Sequence, residues 1–251
     1  MRGKYRQKGK VMHNNFLFDL DQTLLDFHAT EHKALEIVCK NKGLSYTDDL
    51  YDEFKAYNKS LWRLLEKGEI TRKELFVKRF SFVISKGGGD GLDIDPLALN
   101  DEFIGTMAQN GIPMEGAIEF IKRLKAEVKD SRIYIVTNGA TVNAMGRIRS
   151  TGLDAYLEDV FVSEALGVNK PAKEYFDICL EKIGEPKESC IVIGDTLTSD
   201  MQGAKNAGIA SVWFMPEGDI SESVKTYGVT YTAASFDELF EVLKNWAEKI
   251  E

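Results

Sequence analysis

Two carboxylates one residue apart, Asp19 and Asp21, end the apolar run Phe16-Leu17-Phe18. Further along, Thr137-Asn138-Gly139 and Asp195 follow runs that read as buried strands, Lys170 stands in a Val168-Asn169-Lys170-Pro171 loop, and Asp200 opens a helical stretch. Each has an ordinary role when taken alone. An Asp after a strand is commonly a turn former or helix cap, Thr-Asn-Gly reads as a turn, and a lysine before proline reads as a solvated loop residue. Gathered in one crevice, the acids are costly unless a cation neutralises them. A hard divalent ion such as Mg²⁺, which takes a few carboxylate oxygens and keeps waters that a phosphate replaces, meets that demand. The set suits phosphoryl transfer: one carboxylate attacks phosphorus to form an aspartyl-phosphate, and a second protonates the leaving alcohol and later deprotonates the attacking water. A lysine, a hydroxyl, loop amides and the cation would stabilise the charge on the phosphoryl oxygens.

Such residues need a scaffold that brings them to one edge. Short β-rich runs recur at 15–19, 133–139, 160–164, 190–195 and 210–215, with helical patterns between the later ones, as in Glu115–Val128 and Ala172–Gly184. Ser235 with Glu238 predicts a capping box at the start of another helix. Strands alternating with helices predict an α/β domain with a doubly wound parallel sheet, whose ligands bind at the carboxyl ends of the strands. Residues 27–112 break the alternation. Helices are expected at about 29–42, 47–67, 71–85 and 95–109, with a capping box at Thr71/Glu74 and an N-cap plus proline at Asp95-Pro96. The expected organisation is a basic extension at 1–13, an α/β core from 14–26 and 113–251, and an inserted all-helical cap at 27–112.

Composition narrows the function classes. The chain has 251 residues, 43% of them hydrophobic, and a net charge of -8; that acidity argues against a nucleic-acid polymer or an anionic membrane as partner. Only the first ten residues are basic, and Met12 could serve as the start. They lack the apolar segment of a secretory signal, so a cytoplasmic protein is expected. Cys39, Cys179 and Cys190 are scattered and form no C-x-x-C pair, which predicts neither a disulfide framework nor a zinc site.

Asp19-Leu20-Asp21-Gln22-Thr23, Val136-Thr137-Asn138-Gly139, Lys170-Pro171 and Gly194-Asp195-Thr196-Leu197-Thr198-Ser199-Asp200 resemble, in order and spacing, the four motifs of the haloacid dehalogenase-like (HAD) phosphohydrolase superfamily. The resemblance covers the chain apart from the basic arm, and it implies a Rossmann-like core with a helical cap. It implies Asp19 as nucleophile and metal ligand, Asp21 as general acid/base and a ligand through its carbonyl, and Asp195 as the third ligand of Mg²⁺. Thr137, with Asn138 and Gly139, would bind the phosphoryl group, Lys170 would neutralise nucleophile and phosphate, and Asp200 would orient Lys170 or a metal-bound water. Many members carry glycine where Gln22 stands, so the backbone there is expected to avoid positive φ.

In that superfamily the second aspartate marks phosphatases rather than dehalogenases. The segments 163–184 and 194–214 look like the pyrimidine 5′-nucleotidase subgroup, which implies a nucleoside monophosphate as substrate; another small ester, such as a sugar phosphate or phosphoglycolate, is the alternative. Substrate choice would lie in the cap, where Phe54, Tyr57, Trp62, Phe76, Phe80 or Phe82 either stack on a base or form the core of the bundle. Two remoter readings use other features. His28-Ala29-Thr30-Glu31-His32 fits the H-x-x-E-H zinc-protease pattern, and clustered acids with a threonine and a lysine also occur in phosphoaspartate switch proteins.

Overall fold

The structure, a computed structural model, describes residues 13–215 and 220–248; of the basic extension expected at 1–13, residues 1–12 lie outside them. The elements run β1 (Asn15–Phe18), α1 (Phe27–Asn41), α2 (Asp48–Glu66), α3 (Arg72–Lys86), α4 (Pro96–Gln109), α5 (Ala117–Glu127), β2 (Arg132–Thr137) and α6 (Thr141–Ser150). Then follow β3 (Asp159–Val162), α7 (Ser163–Leu166), α8 (Lys173–Ile183), β4 (Cys190–Gly194), α9 (Gln202–Ala207), β5 (Ala210–Phe214), α10 (Ile220–Tyr227), β6 (Tyr231–Ala233) and α11 (Phe236–Ala247). They form two compact units: Phe27–Ile112 with Met145–Thr151, and the remainder of the described residues.

The α/β unit is built on a six-stranded sheet of order β3-β2-β1-β4-β5-β6 with every pair parallel, a doubly wound arrangement. Successive side chains on a strand point to opposite faces, which explains why β1 is apolar throughout. Leu17 packs with Val136, Val192, Tyr175, Phe176 and Cys179 on the face covered by α8 and α9. Phe16 and Phe18 point the other way, Phe16 against Trp246 of α11 and Phe18 against Phe120 of α5. β6 goes beyond the sequence reading. It is three residues at the sheet edge, Tyr231 half-buried, Thr232 exposed and Ala233 buried, too short to carry an alternation signal.

The helical unit has its own core. Leu35, Val38, Phe54, Phe80, Val83, Leu99, Phe103 and Met107 are buried together, so Phe54 and Phe80 are core residues there. Tyr57 and Phe82 pair with ring centroids 4.8 Å apart and, like Trp62 and Phe76, remain half-buried. The caps explain where the helices start. Thr71 and Glu74 complete a reciprocal capping box, and Asp95 caps α4 with Pro96 at its first position. Met145–Thr151, which the sequence reading places with the α/β core, groups with the helices for a steric reason: a Cβ on Gly146 would overlap Ala108, so only glycine permits that approach.

His28-x-x-Glu31-His32 lies on α1, where Glu31 is buried and accepts a hydrogen bond from the Tyr51 hydroxyl at 3.2 Å. His32 meets Asp48 at 3.1 Å. Among the described residues these side chains join no group of three potential metal ligands. Burial raises the Glu31 carboxyl above its ordinary value, against lowering contributions from Tyr51, Arg79 and Lys55. A carboxyl raised in the folded state binds more protons there than in the unfolded chain, so its contribution to stability falls as pH rises from the unfolded to the folded value. Glu31→Gln is therefore expected to flatten the decline of stability as pH rises above the ordinary glutamate value; urea unfolding at several pH values checks it, and parallel curves for the two proteins would contradict it.

Candidate active site

The strand order places the site. β1 lies between β2 and β4, and chain continuation diverges to either side of it, which opens a crevice at the carboxyl ends of these strands. Phe18 is in register with Ile135 of β2 and Ile193 of β4. The next residues along those strands are Asp19, Val136-Thr137 and Gly194-Asp195, so three of the sequence motifs emerge side by side. The Asp19 amide extends the ladder with a 2.8 Å bond to the Ile193 carbonyl, which holds its side chain at the strand end.

After Asp21 the chain turns sharply. Gln22 takes φ +55°, contrary to the expectation from its side chain that positive φ would be avoided. The reason is the turn: the Gln22 amide bonds the Leu25 carbonyl, the Leu24 and Leu25 amides return to the Leu20 carbonyl, and all three leucines are fully buried. A non-glycine residue in this region costs about 1–2 kcal/mol, an amount that burial of these side chains readily offsets.

Lys170 is the centre of the site. It is 4% exposed, which overturns the reading of a solvated loop lysine. Its ammonium donates to Asp19 Oδ1 at 2.7 Å, to Asp200 Oδ1 at 2.6 Å and to the Val136 carbonyl at 2.7 Å. These three bonds satisfy all three N–H groups. Burial by itself would lower the lysine, but the Asp19 and Asp200 charges outweigh it and keep the ammonium well above its ordinary value. Asp200 is fully buried, and its other oxygen accepts the Thr196 amide at 3.2 Å. Gly194 is required beside it, because a Cβ there would overlap the Asp200 carboxylate.

The carboxylates of Asp19, Asp195 and Asp200 offer ligand atoms that all lie within 4.8 Å of one another. Burial pushes the Asp19 carboxyl well up, Lys170 opposes it, and the charges of Asp200 and Asp21 push further in the same direction. Asp195 is raised as well, by burial and then by Asp200. One ammonium thus leaves the acid cluster with an unmet demand for positive charge. An all-oxygen donor set with that demand fits a hard divalent cation such as Mg²⁺.

Thr137 is buried at the end of β2, with its hydroxyl accepting the Gly139 amide at 3.2 Å. The Asn138 side chain bonds the backbone of Lys170. Two supporting residues were absent from the sequence reading. Trp213 on β5 donates its indole N–H to the Asp195 carbonyl at 2.9 Å, and Glu164 accepts the Thr141 amide at the start of α6 at 2.9 Å. Neither carries a motif signal, since both act on backbone groups that only the folded chain brings near.

Comparison with known proteins agrees with this arrangement. The family model for haloacid dehalogenase-like hydrolases matches residues 13–208. The chain is 37% identical over 236 residues to pyrimidine 5′-nucleotidase PynA of Streptococcus pneumoniae, covering 93% of this chain and 97% of that protein. It is 32% identical to pyrimidine 5′-nucleotidase YjjG of Escherichia coli, covering 90% and 96%. HAD-hydrolase YfnB of Bacillus subtilis is 33% identical over 92% of this chain and 95% of its own. The crystal structure of YfnB bound to magnesium superimposes with a TM-score of 0.76 over 92% of this chain and 99% of that one.

Proposed function

The chain belongs to the haloacid dehalogenase-like hydrolase family and is an enzyme of its phosphatase branch, and on that footing we propose that it is a Mg²⁺-dependent 5′-nucleotidase acting on pyrimidine nucleoside monophosphates through an aspartyl-phosphate. The observation that carries the mechanism is the placement of Asp19 at the end of β1, hydrogen-bonded on one oxygen by Lys170. The substrate class is supported by the two relatives named as pyrimidine 5′-nucleotidases. Three buried cysteines without a disulfide support a cytoplasmic enzyme.

In this reading Asp19 attacks phosphorus with its second oxygen while Lys170 holds the first. The P–O bond to the alcohol breaks, and Asp21 gives the alcohol its proton. Asp21, now a carboxylate, takes a proton from water, which attacks phosphorus and frees Asp19 and inorganic phosphate. Thr137 and the amides of the Asn138-Gly139 turn bind the phosphoryl oxygens. Asp19, Asp195 and the Asp21 carbonyl would hold Mg²⁺, which when bound supplies charge stabilisation to the transferring phosphoryl group. Asp200 keeps Lys170 in place.

The test is phosphate release from a panel of esters at fixed Mg²⁺. Faster turnover of UMP, dUMP and dTMP than of sugar phosphates or phosphoglycolate is expected. Preference for one of the latter would remove the nucleotidase assignment while leaving the chemistry intact. Chelation with EDTA is expected to abolish turnover and added Mg²⁺ to restore it; activity that persists in EDTA would contradict the metal. Asp21→Asn separates the proton transfer. Its loss, about 10²–10⁴-fold for a nucleotide, should shrink for p-nitrophenyl phosphate, whose leaving group needs little protonation, and equal losses on both would deny Asp21 that role.

A further inference from the structure

We propose that Asn138 is a positioning residue whose side chain sets Lys170 against Asp19 and Asp200, so that its side-chain carboxamide, unlike its backbone amide, serves the lysine and not the substrate. The proposal rests on the reading of Lys170 as the partner of the nucleophile. Asn138 Nδ2 donates to the Lys170 carbonyl at 2.9 Å, and Asn138 Oδ1 accepts the Lys170 amide at 2.8 Å. Both ends of the carboxamide are thereby committed to one backbone residue 32 positions away in the chain. A ring of two hydrogen bonds fixes that residue in orientation as well as in distance.

Lys170 has need of such a hold. It lies outside any helix or strand, in the turn before α8, yet its ammonium must meet three acceptors carried by three different segments: Asp19, Val136 and Asp200. With all three N–H groups engaged at 2.6–2.7 Å, a shift of the backbone by an ångström would break at least one bond. Asn138 also directly follows Thr137, so the loop that binds the phosphoryl group and the loop that carries the lysine are referenced to the same point. Thr137, Asn138 and Lys170 then form one rigid unit, and the carboxamide has its acceptor oxygen and one N–H already spent.

The experiment is a double-mutant cycle with p-nitrophenyl phosphate, UMP and a sugar phosphate as substrates, with thermal melting of each variant measured in parallel. Asn138→Ala is expected to lower kcat about 10–100-fold, the scale of a misplacement near an ångström. The factor should be the same for all three alcohols, with KM changed less than about threefold. In a Lys170→Arg background the same substitution should cost less than about twofold, because the residue it positions is already altered. Losses that multiply in full, that vary with the alcohol, or that fail to occur would each overturn the proposal. If Asn138→Ala does not fold, Asn138→Ser, which also lacks both bonds and keeps a polar group in place, takes its position in the cycle. Wild-type kcat in Lys170→Arg alone would instead defeat the reading of Lys170.

Discussion

Asp19→Asn is expected to reduce kcat by on the order of 10⁴-fold or more on every phosphate ester, with no class of substrate spared. An amide oxygen is too poor a nucleophile to form the acyl-phosphate, and no other carboxylate in the cluster takes up its position. Asp200 is committed on both oxygens, to Lys170 and to the Thr196 amide. Asp195 follows a different strand, with one oxygen bonded to the Thr196 hydroxyl. The fold should survive the change, since asparagine fills the same volume and its carbonyl oxygen still accepts from the Lys170 ammonium. Steady-state phosphate release and a thermal melt of the same preparation check both halves. A folded Asp19→Asn protein retaining more than a tenth of wild-type turnover would remove the covalent mechanism.

The second large effect belongs to Lys170→Met. Methionine replaces the aliphatic stem and removes the charge, leaving the buried carboxylates of Asp19 and Asp200 without the ammonium that both of them bond. Breaking a buried ion pair from one side costs about 3–5 kcal/mol, and loss of the charge from the reaction centre costs about 10²–10³-fold in kcat. The stability loss should be sensitive to pH. Burial already raises the Asp19 carboxyl, and removing the ammonium takes away the strongest influence that lowers it. The folded variant should then bind protons more readily than the unfolded chain, so its stability should fall as pH rises from the unfolded carboxyl value towards neutrality. Urea unfolding in EDTA at acid and neutral pH measures this; a destabilisation of the same size at both would mean that the ion pair is not its source.

Much of this site can be read without coordinates because its residues sit where strands stop. The run Phe16-Leu17-Phe18 is apolar on both faces and ends at Asp19, and a strand buried on both faces of a parallel sheet has to look like that. Thr71/Glu74 and Asp95-Pro96 mark helix starts because the orphan amides of a first turn need those partners. What escapes the sequence depends on neighbours distant in the chain. The positive φ of Gln22 follows from how Leu20, Leu24 and Leu25 pack, and no property of glutamine announces it. The role of Lys170 is legible only through its motif; taken alone before a proline it reads as a surface residue, and its burial shows only once three acceptors close around it. Arg147, almost wholly buried and lying over the Phe27 ring, looks like any exposed helical arginine in the sequence. Trp213 reads as one more strand aromatic, and its indole N–H finds the Asp195 carbonyl only across the sheet.

The central claim is that the phosphoryl group passes through Asp19, and trapping it there is the direct measurement. Enzyme mixed with ³²P-labelled substrate and quenched in acid within one turnover should carry acid-stable, base-labile label. Borohydride reduction of that material followed by peptide mass spectrometry should convert position 19, and no other aspartate, to homoserine. Label at Asp19 that disappears in Asp19→Asn establishes the covalent route. Phosphate release with no trapped label, or label on a different residue, would contradict it and leave direct attack by water or another nucleophile as the chemistry of this site.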